Sequence, residues 1–173
     1  VLARKTWRFF EDFATEENNR LCPDNYQQYP GPRLSDKTSP TNIGLQLISA
    51  LSACDFGFIS LRELIDHCED VMRTLQKLPK WNGHLYNWYN VKTLELLMPH
   101  YVSSVDSGNF LAFLITLKNG LQGLAEQPVF PDSMLLGIGD TLAAAGLAPD
   151  SMPGSFASQQ SRDTLLEFLA ATS

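Results

Sequence analysis

Apolar residues recur at helical spacing along most of the chain. In residues 2–18, Trp7, Phe9, Phe10, Phe13 and Ala14 form one stripe while Glu11, Asp12, Glu16 and Glu17 fill the other face, which predicts an amphipathic helix. Residues 20–38, rich in Pro, Asn, Asp and Gln, predict a loop. A second helix opens at Ser39, with Pro40 at its first position. It carries Ile43, Leu47, Ile48, Ala50 and Leu51 and stops near Asp55-Phe56-Gly57, where glycine suits a left-handed cap. Ser60-Leu61-Arg62-Glu63 has capping-box spacing, and Leu64, Ile65, Val71, Met72 and Leu75 continue a third helix to about Leu78, ahead of Pro79.

The helical period disappears between residues 80 and 104. "GHLYNWYNVKTLELL" has the aromatic and β-branched content of a short β-hairpin near 84–97, with Asn90 near its turn. Ser104 or Asp106 then caps a helix through Phe110, Leu111, Leu114, Ile115, Leu117 and Leu121. Two more helices are expected over 131–145 and 158–171, the latter with Leu165, Leu166, Phe168 and Leu169 inward; "GIGD" at 137–140 reads as a packing feature. The class is all-α, built of antiparallel helical hairpins.

Loop lengths add geometry. If neighbouring helices run antiparallel, the long loops 20–38 and 80–104 emerge on one face, and the helices after them aim their unpaired N–H groups at it. The start "KTSPTNIGLQL" holds more small polar groups than a cap requires: Ser39 and Pro40 suffice, and Thr41, Asn42 and Gly44 are surplus. Thr41 and Asn42, with Asp106, Ser107 and Asn109, are therefore expected to converge with Asp24, Asn25, Tyr26 and Gln27 of "PDNYQ" and Asn87, Trp88 and Tyr89 of "YNWY". Hydroxyls, amides and carboxylates beside flat aromatic rings suit a carbohydrate, whose C–H faces stack and whose hydroxyls both donate and accept. The competing reading is an elaborate set of helix caps, with Trp88 and Tyr89 as buried core.

Composition narrows the classes. With 173 residues, 44% of them hydrophobic, and a formal net charge of −6, the chain suits one soluble domain, and no Lys/Arg cluster supports nucleic-acid binding. No apolar run approaches the roughly 20 residues of a membrane span. Cys22, Cys54 and Cys68 lack metal-type spacing and read as reduced and structural; His67, His84 and His100 are too scattered for a metal site. There is no phosphate loop, dinucleotide fingerprint or nucleophile elbow, so no metal or cofactor is implied. Val1 is not an initiator methionine, which suggests an excised piece of something longer.

"ARKTWRFFEDF", "PDNYQ", "TSPTNIGLQL", "GHLYNWY" and "YVSSVDSGN" occur in the order and at about the separations found in cyclic β-1,2-glucan synthases. The chain resembles the glucoamylase-like segment of those proteins over residues 3–123, and more weakly over 124–173. The resemblance implies a partial (α/α) barrel, a β-1,2-glucan as partner, and glycosyl transfer that closes chains into rings. It also implies an inner-membrane parent with this region on the cytoplasmic side. A complete barrel of that kind has about twelve helices, and 173 residues hold roughly half of them at a mean helix length near 12 plus connections.

The expected identity is thus a single helical unit, residues 1–173, that is a fragment of a larger barrel and contributes part of a glucan cleft. Glycoside chemistry needs two carboxyl groups, about 5.5 Å apart for retention. Asp24 and Asp106 are the acids inside the shared polar blocks, but neither is assigned as catalytic: Asp24 suits sugar hydroxyls, and Asp106 suits either a sugar or its own helix's N–H groups. Two other readings stand beside this one, a non-catalytic carbohydrate-binding or scaffold module and a β-1,2-glucan hydrolase. Helices that lack the rest of a barrel leave apolar surface bare, so the chain on its own is expected to be inactive and to self-associate.

Overall fold

The computed structural model describes residues 1–128 and 131–146. In chain order these form α1 (Leu2–Phe13), a 3-10 turn (Glu16–Asn18), β1 (Tyr26–Gln27), β2 (Arg33–Leu34), β3 (Lys37–Thr38) and α2 (Pro40–Asp55). There follow α3 (Leu61–Lys77), β4 (Lys80–Trp81), β5 (His84–Leu85), β6 (Tyr89–Asn90), α4 (Ser104–Leu124) and α5 (Ser133–Ala144). The described residues are mostly helical, as expected. The helix anticipated over 158–171 lies outside them.

Helix α2 is the hub. Ser39 caps it by accepting from the Asn42 backbone N–H at 3.3 Å, and Pro40 opens it without wasting a donor. Because α1, α3 and α4 all pack against it, its buried residues run all round the helix rather than along one stripe: Ile43, Leu47 and Ala50 are fully enclosed, and so is the polar Gln46. Helix α3, in contrast, is amphipathic and turns Leu64, Val71 and Leu75 inward. Its start is the capping box that the sequence indicated. Ser60 Oγ accepts from the Glu63 N–H at 3.2 Å and Glu63 Oε2 accepts from the Ser60 N–H at 2.7 Å.

Among the described residues, α2 and α4 make the most extensive helix–helix contact. Their contacts advance together, Thr41 with Asp106, Gly44 with Phe113 and Leu51 with Gly120, so the two helices run parallel with their N-termini side by side. Gly44 allows this approach, since a Cβ there would overlap the Phe113 ring. The α4 cap differs from expectation. Ser103, rather than Ser104 or Asp106, accepts from the Asp106 N–H at 3.1 Å, and the Asp106 carboxylate is thereby released for other contacts. Among the described residues α4 is apolar on most sides yet buries only Leu117, and Val105, Leu111 and Ile115 stand exposed.

The two long loops are joined to each other. β3 pairs antiparallel with β6, Lys37 opposite Asn90 and Thr38 opposite Tyr89. The Val91 N–H donates to Asp36 O at 2.8 Å, and Asn19 Nδ2 donates to the carbonyls of Val91 and Lys92, both at 2.8 Å. The hairpin expected over 84–97 is therefore redistributed. Its turn at Asn90 exists, closed by a single bridge between Tyr89 and Leu96, but the ladder partner of Tyr89-Asn90 is β3. The regular hairpin sits upstream, β4 with β5, about Asn82-Gly83, whose positive φ angles of 47° and 87° give the turn that matches strand twist. Gly137 of "GIGD" lies against the Gly57 carbonyl with no room for a side chain, and docks α5 on the turn after α2.

Candidate functional site

The parallel starts of α2 and α4 bring their surplus polar residues together. Thr41 Oγ1 donates to Asp106 Oδ1 at 2.7 Å, and Asn109 Nδ2 donates to Thr41 Oγ1 at 3.3 Å. The hydrogen-bond network orients the buried Asn87 amide so that its nitrogen donates to Asp106 Oδ2 at 2.8 Å. Its oxygen then accepts from Tyr101 OH at 2.9 Å and from the Trp88 indole Nε1 at 3.1 Å. Both Asp106 oxygens thus hold donors from separate elements.

A second carboxylate stands beside the first group. Asp24 Oδ1 accepts from Asn42 Nδ2 at 2.9 Å and Oδ2 accepts from Asn25 Nδ2 at 2.9 Å, while Lys37 Nζ lies 3.9 Å from Oδ2. The same Lys37 ammonium sits 3.8 Å from the Trp88 ring centroid, a cation–π contact that couples the two halves. The loop that carries Asp24 is fastened from behind. Buried Gln46 accepts from the Cys22 N–H through Oε1 at 2.7 Å, donates to Arg20 O through Nε2 at 2.7 Å, and approaches His67 Nε2 at 3.1 Å. Cys22 Sγ donates to Asn42 O at 3.3 Å, and burial pushes that thiol up to about 12, so it stays protonated.

These bonds account for the crowded start of α2. Ser39 caps, Thr41 holds Asp106, Asn42 holds Asp24, Gly44 admits Phe113 and Gln46 staples the loop. Of the expected site residues, Asp24, Asn25, Thr41, Asn42, Asn87, Trp88, Asp106 and Asn109 meet in this cluster. Four do not. Tyr89 is wholly buried, its OH donating to Pro79 O at 2.7 Å and accepting from the Tyr86 N–H at 2.8 Å, so it is core. Tyr26 stacks on Phe13 at 5.1 Å, and Gln27 donates to Tyr29 O. Ser107 lines a separate, mainly apolar cavity of about 460 Å³ with Met72, Leu85 and Phe110, and its buried Oγ has no partner among the described residues.

Sequence reasoning missed Lys37, Tyr101 and Gln46. Tyr101 opens the block "YVSSVDSGN", and Lys37 and Gln46 both belong to "KTSPTNIGLQL", so all three lay inside the segments singled out. Their roles depend on tertiary contacts that no local pattern reports. Chemically, the cluster offers fixed carboxylate acceptors with spare lone pairs, amides that donate and accept, and an indole held at both its nitrogen and its ring. Among the described residues no helix is long and apolar enough to cross a membrane.

Comparison with known proteins agrees with the resemblance read from the five blocks. The chain is 46% identical over 153 residues, 88% of its length, to a cyclic β-(1,2)-glucan synthase, NdvB, of Rhizobium meliloti strain 1021. It spans 5% of that relative's length. A crystal structure described provisionally as a glucoamylase, from Bacteroides fragilis NCTC 9343, superposes with a TM-score of 0.54 at 19% identity over 70% of this chain and 33% of the other. That likeness is one of helical fold. No protein-family model matches the chain.

Proposed function

Starting from the match to a segment of a cyclic β-1,2-glucan synthase, we propose that this chain is part of a glucan-handling (α/α) barrel and forms one wall of its cleft. The single observation that carries the reading is the cluster at the paired starts of α2 and α4, where Thr41 and Asp106 are linked to Trp88 through Asn87, and Asn42 and Asp24 through Lys37. Sugar rings stack on indoles, and their hydroxyls need groups of both hydrogen-bonding senses. The parent polypeptide performs glycosyl transfer on β-1,2-glucan, with its catalytic carboxyl pair completed outside the described residues. Residues 1–173 act as one helical unit of it, on the cytoplasmic side of an inner-membrane protein; three free cysteines support a reducing compartment.

The bare face of α4, with Val105, Leu111 and Ile115 exposed, is where the remaining barrel helices pack. The isolated chain therefore self-associates, which sedimentation reads directly, and a strictly monomeric chain at high concentration contradicts this part.

The deciding experiment measures glucan transfer by the natural-length polypeptide carrying Trp88→Ala or Asn42→Ala, alongside the melting temperature of each variant. Loss of a stacking anchor lowers turnover by about tenfold or more while melting shifts little. Turnover that falls only in step with melting supports a scaffold role and overturns the reading.

A further inference from the structure

Beside the Trp88 cluster lies a hollow of about 390 Å³ between the β1–β2 hairpin and the β3–β6 ladder, within the size range of small-ligand pockets. Asn25, Gln27, Arg33, Asp36, Lys37 and Asn90 line it, and Leu34 and Leu97 add apolar surface. We infer that this hollow is a second saccharide subsite, which takes the glucan units that run on from Trp88.

Three observations carry the assignment, which rests on reading the Trp88 cluster as glucan-facing. First, the hollow is continuous with that cluster through shared residues. Lys37 lines it and also sits 3.8 Å from the Trp88 ring centroid, Asn25 lines it and holds Asp24, and the Leu97 N–H donates to Trp88 O at 3.1 Å. Second, the hydrogen-bonding groups left over are of both senses. Asn25 and Gln27 use their amide nitrogens on Asp24 and on Tyr29 O, which leaves two amide oxygens as acceptors beside the exposed Asp36 carboxylate. Asn90 uses its oxygen to accept from the Lys92 and Thr93 N–H groups, which leaves its NH2 as donor. Third, the exposed Arg33 guanidinium lines the hollow and makes no ion pair among the described residues, so its N–H groups are left to donate to hydroxyls.

A phosphate would be drawn by Arg33 and Lys37 but would also meet the Asp36 carboxylate and two amide oxygens, whereas a hydroxylated ring can donate to those acceptors and accept from the donors. The wall is also fixed in place. Tyr26 and Gln27 pair with Leu34 and Arg33, and Lys37 pairs with Asn90, so the lining is presented by backbone ladders rather than by a free loop.

The test compares affinities of β-1,2-linked glucose disaccharide and tetrasaccharide for the 173-residue chain by calorimetry or NMR titration. Charged hydrogen bonds at an added subsite make the tetrasaccharide tighter by about tenfold. Arg33→Ala and Asp36→Ala, both at exposed side chains, each remove most of that advantage and leave disaccharide affinity unchanged. A tetrasaccharide no tighter than the disaccharide overturns the subsite and leaves the Trp88 reading intact. An advantage that survives both substitutions also overturns it. Absence of binding by either sugar overturns both.

Discussion

Thr41 Oγ1 donates to Asp106 Oδ1 at 2.7 Å, and this bond between residues 65 apart in sequence holds the first turns of α2 and α4 side by side. That registration brings Asp106 and Asn109 of α4 to Thr41, and Asp106 in turn to Asn87 beside Trp88. Thr41→Val keeps the shape and removes the donor, which leaves one carboxylate oxygen without its partner. The expected loss is about 1 kcal/mol in unfolding free energy by chemical denaturation. Asn109→Ala, which removes a longer and exposed bond, changes stability by less. Equal stabilities for Thr41→Val and the parent chain contradict the role given to this bond.

Close approach of the same two helices predicts a reversal of helix propensity. Alanine is favoured over glycine in a helix interior by about 1 kcal/mol. At Gly44 a Cβ meets the Phe113 ring and, at 3.1 Å, the Phe113 Cβ, which sits next to backbone and cannot swing away. Gly44→Ala is therefore destabilising by about 1–3 kcal/mol. Gly120→Ala meets the methyl ends of Leu51, which can rotate, so its loss is smaller. Denaturant midpoints of the two variants check the order, and a stabilised Gly44→Ala contradicts the packing.

Parts of this arrangement were legible in the sequence for a local reason. The caps at Ser39 and Ser60 join residues three apart, so spacing alone announces them, and helical periodicity located α2 and α3 nearly to their ends. Convergence of Asp24, Asn42 and Asp106 followed from loop order and parallel helix starts. Tyr89 was misplaced because β-type aromatics look alike whether they face a cavity or the core; its burial is decided by its pairing with Thr38. The Asn82-Gly83 turn, in contrast, carries a local signal, an Asn-Gly pair just before the aromatic run. Lys37 was invisible, since a cation over an indole 51 positions later leaves no trace in any local pattern.

Acid should loosen the staple behind Asp24. Burial holds the His67 imidazole below its ordinary value of 6.5, with Arg20 lowering it further and Asp70 acting the other way. Trp7 also packs on the ring, edge-on at 6.0 Å, and Gln46 Nε2 donates to the neutral His67 Nε2. The folded state thus binds fewer protons than the unfolded chain between the lowered value and 6.5. This contribution to stability is complete above that window and is lost as pH falls through it. Urea midpoints for the parent chain drop between pH about 7.5 and about 5.5, and His67→Gln, which keeps an acceptor and cannot titrate, drops less. Identical drops contradict the assignment.

Whether the α2/α4 cluster faces glucan is read most directly at the Trp88 indole N–H, which donates to Asn87 at 3.1 Å inside the cluster. The measurement is its NMR shift during titration of the chain with β-1,2-linked gluco-oligosaccharides, with β-1,4-linked ones as control and the exposed Trp81 indole as internal reference. The account predicts a saturable shift at Trp88 for the β-1,2 series, no matching shift at Trp81, and loss of the response in Asn42→Ala. A Trp88 resonance that stays fixed, or that moves equally for both linkages, contradicts it.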